Sequence, residues 1–310
     1  MEGFQRPYKR VKSERKMYTG RKLTLLSSVA LVKHERDLER TFTEAVELLG
    51  GFGVLKSPFI IKPNLCTDVD ATGVATTNVK TVEALLKIVL EEDRNLAIRI
   101  VESDSESKYA EDAFEELGFK RLEERFTDAG FDVSLINLSQ EPMEEVKWDG
   151  LYFKKPRLPK VLTEDGYFVS LAVAKTHSLT FVTGVMKNLF GLLPRKDQSF
   201  YHPHINEVIV DLNRLIKPDL CIVDAVRGLE GVLRGRTRRL NLVIAGRQPL
   251  SVDATMTRAM GFNPERIRHL AMVEKYALGT LHPTVVGEFL ESTTVQFNPP
   301  RHVNSNALIP

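Results

Sequence analysis

The sequence predicts an α/β protein with a parallel or mixed central sheet flanked by helices, in an arrangement that leaves room for two lobes. Apolar, β-branched runs of strand length alternate along the chain with segments of helical period, which is the pattern of a largely parallel sheet. No internal repeat interrupts this alternation. Strands are expected near residues 24–32, 54–62, 97–102, 131–137, 168–175, 219–224 and 240–246.

Helices are expected in three segments between these strands. Residues 78–92 place their apolar side chains on one stripe, with Thr76 or Thr77 as the expected N-cap, and residues 205–216 repeat the spacing. A third helix is expected over residues 179–190. These helices are predicted to cover the sheet.

The chain divides into three parts by composition. Residues 23–292 form the predicted α/β domain, with a lobe boundary near residues 138–167, where prolines interrupt the periodicity, and residues 293–310 form an irregular tail. Residues 1–22 form a basic arm with eight lysines or arginines against two glutamates, so it carries a formal charge of +6. Such an arm can bind nucleic acid, solubilise the chain or strap across the molecule.

The composition indicates a globular protein with a full core and no membrane association. Of its 310 residues, 43% are hydrophobic and 27% are charged. No apolar run approaches the roughly 20 residues that cross a bilayer, and the basic N-terminus is unlike a secretory signal, so we expect a cytoplasmic protein. Two widely spaced cysteines, Cys66 and Cys221, exclude an intrinsic four-cysteine iron–sulfur cluster and are expected to be inert buried thiols.

Polar residues follow the ends of five predicted strands. Ligands of open parallel sheets bind beyond the carboxyl ends of the strands, so these residues predict one shared cleft. They are Lys62 and Asn64, Glu102, Lys175 and His177, Asp224 and Glu230, and, farther beyond the last strand, Asp253.

Three lysines at or near this edge predict an anionic ligand. Lys62, Lys175 and Lys187 would each be costly to bury alone, so a carboxylate or phosphate is the expected partner, with Asn188 and Asn64 as polar contacts. The alternative is a set of structural ion pairs, such as Lys62 with Glu102. His177 is the expected proton carrier of the site, with Lys175 and Lys187 as further catalytic candidates.

Two further groups of residues have weaker patterns. His202 and His204, joined by Asp224 or Asp253, could hold a divalent metal, or the imidazoles could simply cap a helix. In a second group, Arg234, Arg236, Arg238 and Arg239 stand in an expected loop, where they contact either an anion or only solvent. The glycines nearby match neither a dinucleotide fingerprint nor a Walker loop.

Several segments resemble one family. They are IIKPNL at 60–65, ATTNVKTVEALLKIV at 75–89, VESDS at 101–105, KTHSLTFVTGVMKNLFGLLP at 175–194, YH at 201–202, CIVDAVRGLEG at 221–231 and PLSVDATMTRAMG at 249–261. In this order they resemble the archaeal and bacterial domain of unknown function family 362. The layout is also similar, more distantly, to the nickel-pincer lactate racemase group, in which lysine and histidine serve an organometallic cofactor and a hydroxy acid.

The resemblance implies redox work, because many members of the family carry a ferredoxin-like four-cysteine module that this chain lacks. Our main functional hypothesis is an enzyme that acts on a small anionic molecule by acid–base or redox chemistry in a cleft between the lobes. One alternative is a nucleic-acid-binding protein that uses the arm and the arginine loop. Another is a partner-binding module whose cluster comes from a ferredoxin-like protein.

Overall fold

The strand segments of the sequence assemble into one mixed β-sheet with helices on both faces, as predicted. A computed structural model describes residues 27–309. The strands are β1 (Ser28–Lys33), β2 (Phe59–Pro63), β3 (Ile98–Glu102), β4 (Val133–Asn137), β5 (Met143–Glu145), β6 (Arg157–Pro159), β7 (Tyr167–His177), β8 (Phe181–Thr183), β9 (Leu220–Glu230), β10 (Arg236–Gly246) and β11 (Thr284–Gly287). The helices are α1 (Leu38–Leu48), α2 (Val79–Glu92), α3 (Ala110–Glu116), α4 (Phe119–Asp128), α5 (Val185–Asn188), α6 (Ile205–Leu215), α7 (Pro249–Ala259), α8 (Arg268–Val273) and α9 (Leu290–Thr293).

The main sheet of the described residues has nine strands in the order β11-β1-β10-β9-β7-β2-β3-β4, with β8 paired to β7. Strands β9, β7, β2, β3 and β4 run parallel to one another. Strand β10 is antiparallel to both β1 and β9. The parallel part brings the carboxyl ends of β2, β3 and β7 to one edge.

Two apolar layers enclose the sheet. Helices α1 to α4 cover one face and contribute, among others, Phe42, Leu85 and Phe114 to a core cluster that includes Ile61 of β2. Helices α5 to α8 cover the other face, where the strand residues include Ala172 and Val223. A sheet covered on both sides needs continuous apolar strands, which explains the unbroken burial of most of β7.

The two long predicted helices are present. The prediction of Thr76 or Thr77 as the cap of α2 is wrong, because Asn78 is the N-cap and its side chain accepts the amide N–H of Lys80. Thr77 instead donates its hydroxyl to the carbonyl of Leu171. Helix α6 begins at Ile205, as expected.

Two local predictions are wrong. The expected helix over 179–190 is replaced by strand β8, the single turn α5 and a 3₁₀ turn over Leu189–Leu192. The arginine loop is largely part of a hairpin, because β10 already begins at Arg236 and pairs along β9. The end of β9 and the start of β10 form a two-stranded extension beyond the covered part of the sheet. The arginine side chains there are exposed or partly exposed, so their charges remain solvated.

The predicted lobe boundary and the predicted C-terminal tail contain little regular structure. Segment 138–167 holds the small hairpin of β5 and β6. From Thr294 to Ile309 the chain has no helix. Leu308 in this segment forms an isolated antiparallel β-bridge with Ile267. The basic arm over 1–22 lies outside the described residues. No helix within 27–309 has the length and apolar character needed to cross a membrane.

Candidate functional site

A cavity of about 230 Å³ opens where β2, β3 and β7 end. Its walls also include the 3₁₀ turn Leu189–Leu192, the following 3₁₀ segment Gln198–His204 and the tip of the β9–β10 hairpin. Eight of the predicted site residues line it: Lys62, Asn64, Glu102, Lys175, His177, Lys187, Asn188 and His202. None of the lining residues comes from segment 138–167.

Glu102 is the buried carboxylate of this cavity and compensates two lysines. Its Oε2 atom lies 2.8 Å from Nζ of Lys62, and its Oε1 atom lies 3.6 Å from Nζ of Lys108. It also accepts the backbone N–H groups of Leu65 and Ser103. Burial lowers the pKa of Lys62, whereas the charge of Glu102 acts in the opposite direction.

Lys175 is held by backbone carbonyls rather than by a carboxylate. Its Nζ atom donates to the carbonyl of Ala75 at 2.7 Å and approaches the carbonyl of Val232 at 3.4 Å. The Sγ atom of Cys66 lies 3.3 Å from the same nitrogen. The side chain is buried, so solvent screens its electrostatic interactions only weakly.

Lys187 differs from the other three lysines of the cavity because its amine has no hydrogen-bond or ion-pair partner among the residues that the structure describes. Its Nζ atom lies 4.0 Å from the centre of the Phe190 ring. Burial, and next the charge of Lys175, lower the pKa of Lys187 to about 7. A substantial fraction of this amine is therefore uncharged at neutral pH.

His177 is neutral and its tautomer is assigned by one hydrogen bond. Its Nδ1 atom accepts the backbone N–H of Leu179 at 3.1 Å, which requires the ring proton to be on Nε2. Burial, and next the charges of Lys187 and Lys175, hold the pKa of His177 well below its usual value. A neutral imidazole of this kind donates a hydrogen bond and can polarise a ligand oxygen.

Neutral polar side chains complete the site. Asn188 donates from Nδ2 to the carbonyl of Lys62 at 2.8 Å and to Ser170 at 3.1 Å, while its Oδ1 atom has no partner among residues 27–309. The hydroxyl of Thr183, which is also buried, likewise has no partner there. Unpaired buried polar atoms are costly, so these groups favour a polar ligand. Asn64 contacts the carbonyl of Ala75.

The chain reversal after β7 places Lys187 and Asn188. Phe181 adopts a left-handed backbone with φ of 67°, and β8 then returns along β7. Both carboxylate oxygens of Asp253, on α7, accept the backbone N–H groups of Val185 and Met186 at 2.7 and 3.0 Å. Asp253 thus orients the short helix that carries the two site residues.

Several predicted site residues lie away from the cavity. Asp224 binds the hydroxyl of Thr81 at 2.7 Å and lines a separate cavity of about 230 Å³. Glu230 pairs with Arg238 at 2.6 Å and His204 packs against Tyr152. These residues and Asp253 are therefore not brought together with Lys175 and His177.

The expected metal set does not form a cluster. Asp253 is engaged by two amides and Asp224 by a hydroxyl and the N–H of Val226, while His202 stacks on Phe190 with ring centres 6.2 Å apart. Among residues 27–309 no three His, Cys, Asp or Glu side chains are arranged to hold a metal ion. The donors present therefore do not fit the divalent metal that the sequence suggested.

The two arginines assigned to substrate binding are exposed near the mouth of the cavity. Arg234 and Arg236 belong to the hairpin tip, next to Val232 and Leu233, which line the cavity. Their guanidinium groups are not among the lining groups.

Sequence reasoning missed two residues of the site. Lys108 is buried and donates to the carbonyl of Ser103. Cys66, expected to be an inert buried thiol, is partly exposed and lines the cavity, whereas Cys221 is fully buried as expected. Lys108 lies six residues beyond the end of β3 and Cys66 is not a lysine, so the pattern of lysines at strand ends indicates neither.

Two known proteins show partial similarity to this chain. A thylakoid-associated protein of the cyanobacterium Synechocystis sp. is 27% identical over 135 residues, which cover 41% of this chain and 42% of that protein. The lactate racemase apoprotein of Thermoanaerobacterium thermosaccharolyticum matches 72% of this chain and 54% of its own, with 11% identity and a TM-score of 0.43. The chain therefore spans about half or less of either relative.

A family match covers the strands and helices that build the cavity. Residues 60–258 match Domain of unknown function (DUF362), and this range contains every lysine of the site. The match extends over more than half of the 310 residues. The chain belongs to the DUF362 family.

Proposed function

We propose that this protein is an enzyme that binds a small carboxylate or phosphate in the cavity at the ends of β2, β3 and β7 and acts on it by acid–base chemistry. The observation that carries the proposal is the imbalance of charge. Lys62, Lys108, Lys175 and Lys187 line the cavity, whereas Glu102 is its buried carboxylate and Glu106 is exposed at the rim.

Burying cations without compensation is costly, so an anion that enters the cavity gains interactions that the protein itself does not satisfy. Lys175 and Lys187 have no carboxylate partner among the described residues, and the amine of Lys187 donates no hydrogen bond there, so it is available to a ligand. Charge-assisted hydrogen bonds of this kind contribute about 1.5–3 kcal/mol each. A low local dielectric strengthens them further.

The acid–base part of the proposal depends on two neutral groups. His177 carries its proton on Nε2 and serves as a hydrogen-bond donor to the reacting oxygen, while uncharged Lys187 accepts a proton or attacks a carbon. Groups with pKa values shifted by burial and by like charges are typical of catalytic sites. Asn188 and Thr183 supply the remaining polar contacts.

Calorimetric titration with lactate, pyruvate and orthophosphate tests the proposal, with lactamide as the uncharged control. We expect the three anions to bind and lactamide to bind at least tenfold more weakly. Lys187→Met is the cleanest variant because it breaks no hydrogen bond or ion pair among residues 27–309, and it should weaken anion binding about tenfold or more.

Lys120→Met is the matched control, because this lysine pairs with Glu115 on the surface, away from the cavity. It should bind anions as the wild type does. Equal binding of lactate and lactamide, or anion binding that is unaffected by Lys187→Met, would contradict the proposal.

A further inference from the structure

The four lysines of the cavity differ in how their amines are tethered. Lys62 binds Glu102 and the carbonyl of Pro63, Lys108 binds the carbonyl of Ser103, and Lys175 binds the carbonyl of Ala75. Lys187 has only the ring of Phe190 beside its amine. An amine that donates no hydrogen bond keeps its lone pair available once it is uncharged, whereas a tethered ammonium acts as a fixed charge.

We infer that Lys187 is a nucleophile that forms an imine with the carbonyl carbon of a small 2-oxo acid, whose carboxylate is held by the neighbouring lysines. The inference rests on the proposed function and names its substrate class. The untethered amine of Lys187, the amine of Lys175 and the Nε2–H donor of His177 line one cavity of about 230 Å³. A compound with adjacent carboxylate and carbonyl groups matches these three groups.

The reaction is balanced without any other reactant. The lone pair of Lys187 Nζ forms a C–N bond to the carbonyl carbon, and the carbonyl oxygen becomes the hydroxyl of a carbinolamine. The C–O bond then breaks, and the oxygen leaves as water with the two protons that the amine nitrogen has lost. The product is a lysine imine in which no atom has been oxidised or reduced by the protein.

The surroundings of Lys187 favour the free amine that this step needs. Desolvation and next the charge of Lys175 lower the pKa of Lys187 to about 7; Cys66 acts in the opposite direction, and the charge of Lys62 lowers the pKa by less. Burial, and next the charge that Lys187 carries when it is protonated, lower the pKa of His177, His202 and His269, so a proton on Lys187 and a proton on these imidazoles disfavour each other. A cationic neighbour that depresses a lysine pKa is a known way to activate an imine-forming lysine.

Trapping with borohydride tests the inference directly. Full-length protein is incubated with pyruvate, reduced with sodium borohydride and digested, and the peptides are mapped by mass spectrometry. Reduction adds hydride to the imine carbon and fixes the substrate on Lys187 as a secondary amine. We expect saturable labelling of Lys187, labelling that lactate competes away, and little labelling when acetone replaces pyruvate.

Two variants and one competition keep the test decisive. Lys187→Arg should lose the competed label at least tenfold, and Lys120→Arg should keep it. Because Lys187→Arg could fold poorly, a second measurement uses the wild type alone. It compares how far lactate reduces the label on the Lys187 peptide with how far lactate reduces the label on peptides that contain surface lysines. Label spread evenly over surface lysines, or label at Lys187 that lactate does not reduce, overturns the inference.

The inference and the proposed function fail in different ways. If lactate and pyruvate bind the cavity but pyruvate leaves no label on Lys187, the imine is wrong and the anion site stands. If neither anion binds, both are wrong. Trapping on Lys187 with normal lactate binding supports both.

Discussion

The Nζ atom of Lys62 lies 2.8 Å from Oε2 of Glu102, and both side chains are almost completely buried. This ion pair joins the ends of two adjacent parallel strands, β2 and β3. Glu102 reaches Lys108 as well, so one carboxylate offsets two of the lysines that line the cavity. Lys175 and Lys187 are left without such an anion, and for this reason we propose an anionic ligand for the cavity.

Glu102→Gln should destabilise the protein by about 3–5 kcal/mol, because it leaves two buried ammonium groups without a compensating charge. Chemical denaturation measures the change in the free energy of unfolding. Asp132→Asn is the control, since Asp132 forms an exposed pair with Arg99 whose loss should cost no more than about 1 kcal/mol. Equal stability of Glu102→Gln and the wild type would show that Glu102 does not compensate the lysines.

Lys187 should make the free energy of unfolding depend on pH. Its pKa is about 7 in the folded protein against an ordinary value of 10.5, so between these pH values the folded protein binds fewer protons than the unfolded chain. This lysine therefore makes the free energy of unfolding increase steadily as pH rises from about 7 to about 10.5.

The comparison of wild type with Lys187→Met isolates this effect, because all other titrating groups are shared. Thermal or urea unfolding across the window should show a steeper rise for the wild type. Parallel pH profiles for the two proteins would mean that Lys187 keeps an ordinary pKa in the folded state.

Iodoacetamide should alkylate Cys66 in the native protein and leave Cys221 unmodified. Cys66 is partly exposed in the cavity, whereas Cys221 is fully buried, and burial raises the pKa of the Cys221 thiol well above its usual value. Lactate should slow the alkylation because it occupies the same cavity. Peptide mapping checks the site, Cys66→Ser should abolish native labelling, and similar rates at both cysteines would contradict the geometry.

Gly191→Ala should reduce anion affinity several-fold. A Cβ atom at this position would lie 3.0 Å from Oε1 of Glu102 and 3.1 Å from Nζ of Lys62, so the ion pair must move. Gly191 has an ordinary backbone conformation, and any loss of stability should therefore stay within the roughly 1–3 kcal/mol of local overpacking. Calorimetry with lactate measures the affinity, and unchanged binding would show that the ion pair does not shape the site.

The site residues that the sequence predicted correctly are those at the carboxyl ends of strands. Lys62, Glu102, Lys175 and His177 converge because β2, β3 and β7 are parallel neighbours whose carboxyl ends meet at one edge. Hydrophobic runs locate such ends well, and the chemistry of the following residues then identifies the cleft. The α/β fold was predictable for the same reason.

The missed features depend on contacts that no local pattern shows. The turn at Phe181 and the return of β8 along β7 take the place of a predicted helix, and both depend on pairing with a strand elsewhere in the chain. Asp224, expected at the end of a strand, lies inside β9, and because successive strand side chains alternate between faces, its side chain reaches Thr81 of α2 instead of the cavity. Cys66 is a single thiol with no periodic signal.

A crystal structure of the wild-type protein grown with pyruvate tests the central claim most directly. The account predicts pyruvate in the cavity at the ends of β2, β3 and β7, with its carboxylate on Lys175 and its carbonyl carbon at or bonded to Nζ of Lys187. An empty cavity at saturating pyruvate, or pyruvate bound only elsewhere on the protein, would contradict it.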